Sequence, residues 1–467
     1  MKSLKYLAIG AMIMGLSAPV MAQTVDYKPQ LEAITKVISN EAAAKPLIKE
    51  YLKSFKKNPA ALVALGNAYL MAKECDKATR ESMALQYADM ALARNKNYGD
   101  AFILKGDIEA INDDGGEAAM WYQQAMMLDP QNPEGYMRYA NVNRKVSPEE
   151  SARVLNELRK IRPDYPVDAE TAHSYYTANK FDKALEYFAK CDINQLDEGK
   201  LVEYLVSAVQ LNKYADALKI ADFGGKKFTK NATFAQLGLW SAVETESFQA
   251  AEAYANRYLA MEGEKNATDH TYHGKALVGL QRYEEAIEKF NKALEANPEA
   301  TEPLARISET YTKMGQEDKA LEYSEKYLAK NKNANILDYA NLAQIYVNKA
   351  EKGDKVANYE KALAIYDQMV TKFPDYASWT NGIAAGIADK AGKEDLGAQY
   401  NQKIVDELGG KASLSDNQKG YLMQALRKLG YYYWGEKNNL DAAKPYYEQL
   451  IKLDPNDKNA KAALGIE

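Results

Sequence analysis

The chain has 467 residues, of which 46% are hydrophobic and 27% charged, with a formal net charge of −5. That balance excludes a disordered chain. Its 60 basic residues are interspersed among 65 acidic ones, which excludes the clustered positive charge that binding to nucleic-acid phosphates requires.

In chain order, residues 1–22 come first, with the sequence MKSLKYLAIGAMIMGLSAPVMA. Lys2 and Lys5 precede an apolar run, and Val20 and Ala22 hold the small-residue spacing of a cleavage site. The segment reads as a secretory signal peptide cut before Gln23. A membrane anchor is the weaker reading, because a spanning helix needs about 20 apolar residues. No cysteine lies near the cut to take a lipid, no later stretch is apolar for long enough to span a bilayer, and the mature chain carries a formal charge of −7. The expected location is the periplasm of a Gram-negative bacterium. Secretion and outer-membrane association are the alternatives.

Residues 23–58 are expected to form a helical cap, and from residue 59 one helical plan recurs. Gly106, Ala118, Tyr122, Ala125 and Pro130 follow one another in steps of 12, 4, 3 and 5, and so do Gly274, Ala286, Phe290, Ala293 and Pro298. Steps of 4 and 3 put alanine, aromatic and alanine on one face of a helix. The proline stops that helix. The glycine lies on a preceding helix and lets its partner come close, so each unit is an antiparallel helix pair. The same phase returns at Ala362, Tyr366, Met369 and Pro374 and at Ala443, Tyr447, Leu450 and Pro455. Glycine and proline, at 27 and 14, are too sparse for long linkers between units.

This pattern of small and aromatic residues, with units starting 32 to 35 residues apart between 99 and 301, resembles the tetratricopeptide repeat. The resemblance covers nearly all of residues 59–456 as about eleven units, with 457–467 as a C-terminal cap. It is poor near 377–410, where Leu396 falls at the alanine position and Gly382 would shift the register. It implies an all-α fold, a right-handed superhelical solenoid of antiparallel helix pairs. A lone pair buries too little apolar surface to offset its ordering entropy, so each unit must lean on the next. Two units are stretched, by six residues between Gly66 and Ala84 and by seven within 343–362. Longer solvated turns are expected there, or a pair of lips that touch a partner.

Catalytic residue types are few. Cys75 and Cys191 lie 116 residues apart, about three repeats, and read as two separate thiols. His270 and His273, beside Asp269, have a spacing a metal could use, but a third or fourth strong ligand is missing. Both read as packing residues. Neither a phosphate-cradling glycine loop nor a Gly-x-Ser-x-Gly elbow occurs. Gly224-Gly225 and Gly409-Gly410 read as turn residues between helices. No enzyme activity, cofactor or metal is expected.

The resemblance implies that the first helix of each unit lines a concave side that meets the partner. Carried onto this chain, the partner-binding positions are Met137, Asn141 and Arg144; His173 and Tyr176; Gln236, Trp240 and Val243; Thr271, Lys275 and Val278; Glu302 and Glu309; and Arg427, Tyr431 and Trp434. Trp240 and Trp434 read either as interface anchors or as packing between repeats. Asn141 has Met137 four residues before it, where a clamp for a C-terminal carboxylate would have lysine. The expected function is a non-catalytic scaffold or adaptor of the cell envelope, holding a peptide segment or protein partner on its concave face. The alternative is a glycan or small-ligand binding component of an outer-membrane uptake system. The 34 tyrosines suit either, as rings that pack while their hydroxyls stay wet.

Overall fold

The computed structural model describes residues 26–466, so the expected signal peptide lies outside the described residues. Among the described residues there are helices and turns and no strand. No helix among them is long and apolar enough to cross a membrane. The chain divides into two compact units, Met1–Ser241 and Ala242–Glu467.

In the first unit, α1 (Lys28–Thr35) and α2 (Glu41–Phe55) precede five helix pairs. These are α3/α4 (Pro59–Met71, Lys77–Leu92), α5/α6 (Gly99–Ile111, Gly115–Leu128), α7/α8 (Pro133–Asn143, Pro148–Ile161), α9/α10 (Val167–Thr177, Phe181–Phe188) and α11/α12 (Glu198–Gln210, Tyr214–Lys227). Helix α13 (Ala232–Glu244) crosses the boundary. The second unit holds α14 (Phe248–Leu259) and five more pairs. These are α15/α16 (Ala267–Gly279, Tyr283–Ala296), α17/α18 (Glu302–Lys313, Glu317–Lys330), α19/α20 (Ile336–Lys352, Lys355–Lys372), α21/α22 (Ala377–Lys390, Glu394–Leu408) and α23/α24 (Asp416–Tyr431, Leu440–Leu453), closed by α25 (Lys458–Leu464). Each unit is an α-solenoid of stacked helix pairs.

Two kinds of turn build the stack. Within a pair, one residue adopts the left-handed conformation, as at Asn179 (φ 58°), Asn212 (φ 55°), Gln281 (φ 60°) and Gly392 (φ 69°). The next N–H then reaches back to a carbonyl five residues earlier, Lys180 to Tyr175 and Arg282 to Leu277 at 2.9 Å each, which satisfies the orphan carbonyls of the first helix. Between pairs, side-chain caps start the next helix instead. Asn266 with Asp269, and Asn335 with Asp338, form reciprocal capping boxes.

The recurring glycine and aromatic meet inside each pair. A Cβ on Gly106 would lie 2.4 Å from the Tyr122 ring, on Gly274 2.3 Å from Phe290, and on Gly430 2.5 Å from Tyr447. Ala118, Ala286, Ala362 and Ala443 are fully buried at the crossing, with Ala125, Ala293 and Tyr366 beside them in the core. Helices α6, α16, α20 and α24 each end two residues before Pro130, Pro298, Pro374 and Pro455, because the residue before a proline is pushed out of helical geometry. Several tyrosine hydroxyls are committed rather than wet. They donate to carboxylates across helices, Tyr122 to Asp107 at 2.8 Å, Tyr139 to Glu150 at 3.0 Å, Tyr258 to Asp269 at 2.9 Å and Tyr327 to Asp338 at 3.1 Å.

Two expectations need correction. Gly224 and Gly225 are buried inside α12, where a Cβ on Gly224 would strike the Phe234 ring at 2.2 Å; they serve close packing, not a turn. Gly409 and Gly410 do stand in the turn after α22, Gly409 with an ordinary φ of −63°. The stretched unit near 343–362 has no long loop: only Gly353 and Asp354 separate α19, of 17 residues, from α20, of 18. The extra residues lengthen both helices, since the run there has no proline to stop them.

Within the first unit α3 approaches α5, α5 approaches α7 and α9 approaches α11; in the second, α15 approaches α17 and α21 approaches α23. Second helices of neighbouring pairs keep further apart. First helices therefore form the inner side of each stack.

Candidate functional site

In the first unit the inner side is laced by hydrogen bonds and ion pairs between residues about one repeat apart. His173 Nδ1 lies 2.8 Å from Glu203 Oε1, and Lys200 Nζ 2.8 Å from Glu170. Asp107, buried, accepts from Tyr122 and from Arg138 Nη1 at 2.9 Å. Burial pushes the Asp107 carboxyl up, while Arg138 and Tyr122 pull against that rise. Met137 packs half-buried on the core around Tyr122 and Tyr139. Asn141 accepts from Arg144, the residue that follows α7. Tyr176 stands edge-on to Phe181, ring centroids 5.9 Å apart. On α13, Gln236 is half-buried, and Trp240 packs against the core that holds Phe188 and Phe234. These side chains are spread over α7, α9 and α13.

The second unit gathers more. A cleft of ≈ 240 Å³ is lined by Lys275, Val278 and Gly279 of α15, by Arg306, Glu309, Thr310 and Lys313 of α17, and by Val243, Glu246, Phe248 and Phe290. Four sequence-derived partner-binding positions, Val243, Lys275, Val278 and Glu309, thus come together. Lys275 Nζ is 2.9 Å from Glu244 and 4.3 Å from the centre of the Tyr272 ring. Burial raises the Glu244 carboxyl, but hydrogen bonding and charge from Lys275 hold it below its usual range overall. Arg306 is bracketed by Glu309 at 2.9 Å and Glu302 at 3.4 Å on its own helix. Arg306, Lys313 and Phe248 were not among the expected partner-binding positions; Arg306, three residues before Glu309, carried the spacing that could have found it. Thr271 and Val243 are buried, and Thr271 donates to the Ala267 carbonyl at 2.7 Å.

At the C-terminal end, two of three anticipated surface residues are spent on structure. Arg427 Nε lies 2.6 Å from Asp457, and Nη2 3.4 Å from Asp454. Trp434 sits in a π-helical turn, Tyr432–Glu436, with its ring edge-on to Tyr447 at 6.0 Å. That wider turn changes the rotation per residue, so helical spacing counted from Arg427 does not carry Trp434 to the expected face. Tyr431 is 59% exposed.

The remaining chemistry-bearing residues have structural surroundings. His273 is buried beside Gly274, and burial, with Lys289 nearby, lowers its pKa to about 4. Burial also lowers His270. Among the described residues no group of three His, Cys, Asp or Glu side chains is placed to hold a metal ion. Cys75 and Cys191 are free thiols, and burial pushes Cys191 up to about 11.

Three tetratricopeptide repeat family profiles match the chain, over residues 239–301, 277–345 and 423–457. Curated protein sequences give no match. Among solved structures, the C-terminal part of a TPR repeat-containing protein from Cytophaga hutchinsonii is similar at 19% identity, covering 56% of this chain and 99% of that one with a TM-score of 0.46. YrrB, described as a TPR protein with an unusual peptide-binding site, is similar at 22% identity, covering 42% and 93% with a TM-score of 0.33. MamA AMB-1 is similar at 18% identity, covering 35% and 96% with a TM-score of 0.32. With the glycine–aromatic crossing recurring inside the matched segments, at Gly274/Phe290 and Gly430/Tyr447, the chain is a tetratricopeptide repeat protein.

Proposed function

We propose that this protein is a non-catalytic interaction scaffold of the bacterial cell envelope, which holds an extended peptide segment of a partner protein against the first helices α15 and α17. The observation that carries this reading is the cleft where those helices converge. It offers apolar surface from Val278 and Phe248, an exposed cationic edge from Lys313, and ion pairs at Lys275 and Arg306 that are already formed. An extended peptide needs apolar contact for alternate side chains and polar partners for its backbone. Pre-formed pairs lower the ordering cost of binding. Export rests on residues 1–22, with Lys2, Lys5 and the Val20/Ala22 cleavage spacing.

The test is affinity capture from envelope extract with the wild type and with Val278→Glu plus Lys313→Glu. Both residues lie at the cleft surface, so the melting temperature should hold within about 1 °C to 2 °C. A partner retained by the wild type and lost from the variant supports the reading; identical partner sets overturn it. Mass measurement of the mature protein tests export independently, with an N-terminus at Gln23 as the expected result.

A further inference from the structure

We propose that the second unit also carries a binding cleft for an uncharged oligosaccharide, at the N-terminal ends of α19, α21 and α23. It shares no residue with the peptide cleft and does not depend on that reading. The cleft has a volume of ≈ 430 Å³ and is walled by Ile336, Leu337, Tyr376, Trp379 and Tyr421. Leu337 and Tyr376 are 61% and 53% exposed. Ile336 and Trp379 pack from behind on the core around Tyr359 and Ala384, and Tyr421 on the core around Leu426 and Tyr447. The walls are thus anchored on one side and open on the other.

What stands between the rings selects the ligand. Asn417, Gln418, Ser415 and Asp375 supply hydrogen-bonding groups, and no lysine or arginine lines the cleft. Gln418 Oε1 accepts from Ser415 N and Oγ at 3.0 Å and 3.2 Å, which fixes the amide and leaves its Nε2 as a donor. An anionic ligand would meet Asp375 with no cation to offset it. A sugar ring has a C–H face and an edge of hydroxyls, each both donor and acceptor. The face stacks on the rings of Tyr376, Trp379 and Tyr421. The edge needs groups that donate and accept, which amides and hydroxyls are, because a hydroxyl covered without a partner costs free energy. A peptide anchor would use the apolar walls but leave this polar set mostly idle.

The test is calorimetric titration of the full chain with α- and β-linked gluco-, manno-, galacto- and xylo-oligosaccharides. Saturable binding by at least one of them is expected. Tyr376→Ala should weaken it by about tenfold or more, and Asn417→Ala by a smaller factor. Tyr376 is more than half exposed, so its loss is read without a folding defect, which Trp379→Ala could introduce. Val278→Glu, in the other cleft, should leave sugar binding unchanged. Failure of the whole panel to bind overturns the proposal, as does sugar binding that survives Tyr376→Ala, or saturable binding of a leucine- and lysine-rich peptide where every sugar fails.

Discussion

Two helix pairs share one spacing and have almost opposite residues on it. In α5/α6 the steps of 12, 4 and 3 fall on Gly106, Ala118, Tyr122 and Ala125; in α21/α22 they fall on Ala385, Gly397, Asn401 and Ile404. In the first, a ring lies on bare backbone. In the second, a Cβ on Gly397 would come 3.3 Å from the Ala385 carbonyl oxygen and 2.2 Å from Asp389, and Asn401, buried, spends its amide on the Gly397 carbonyl at 2.9 Å. The crossing therefore demands a shared volume rather than a particular residue, and the bulk can sit on either helix. The residue after the crossing differs as sharply: Asp107 is buried in a three-way hydrogen-bonded network, whereas Gly386 is exposed with nothing near its missing Cβ.

The first way to break that contrast is to orphan Asp107. Arg138→Met should cost about 3 kcal/mol or more at neutral pH, because it leaves a buried carboxylate without its cation. The loss should shrink on acidification, as the stranded carboxyl takes up a proton. Asp107→Leu combined with Arg138→Met should recover much of it, since both charges then leave together. Urea denaturation followed by hydrogen exchange in α5 to α7 measures both effects. Next, Gly106→Val should cost about 3 kcal/mol through overpacking against Tyr122. Equal tolerance of valine at Gly106 and at Gly386 would show that the two crossings are not different after all.

Much of this architecture is legible in the residues, and the misses share a cause. Repeats with glycine under an aromatic announce themselves, because both residue types are rare enough for their spacing to carry information. At α21/α22 the register was expected to pivot on Leu396 and Gly382, one residue out of step with Gly397 and three with Ala385. Small residues on both sides of a crossing look like any helix interior, so only coordinates place them. Inner-side positions were legible as positions but not as free surface. Helical spacing says which way Arg427 and His173 point, but not that Asp457 and Glu203, 30 residues away in each case, meet them there. The Leu337–Tyr376–Trp379 cleft escaped for a similar reason: it gathers helix starts from three repeats, and no single repeat contains it.

A third pair sharpens the comparison through pH. His273 precedes the crossing glycine of α15/α16, where α21/α22 has the buried Ala384. Its folded pKa of about 4 lies below its ordinary 6.5, so the fold favours the neutral ring. That contribution is fully present above pH 6.5 and is lost as the pH falls towards 4. The loss should be on the order of 2 kcal/mol, allowing for some solvent access. His273→Gln should flatten this part of the stability profile. Lys289, Glu252, His270 and Arg282 also act on the ring, so the informative quantity is the difference between wild type and variant across that range. Equal slopes in both proteins would remove His273 as the cause.

The smallest effect has the opposite sign and bears most directly on what Gly386 is for. A glycine inside a helix costs roughly 0.5–1 kcal/mol relative to alanine, and Gly386 recovers none of that through close packing within this chain. Gly386→Ala should therefore stabilise the protein by about 0.5–1 kcal/mol, while Gly106→Ala should not, because the added methyl at Gly106 meets the Tyr122 ring. Parallel denaturant titrations of the two variants give the comparison. If Gly386→Ala stabilises the chain and leaves capture of partners intact, the bare turn of α21 is merely tolerated. If it stabilises the chain but weakens capture, the missing side chain is room kept for a partner's backbone, and the cost to the helix is a cost of binding. A Gly386→Ala variant less stable than the wild type would contradict the open space on that face and with it the contrast between the two crossings.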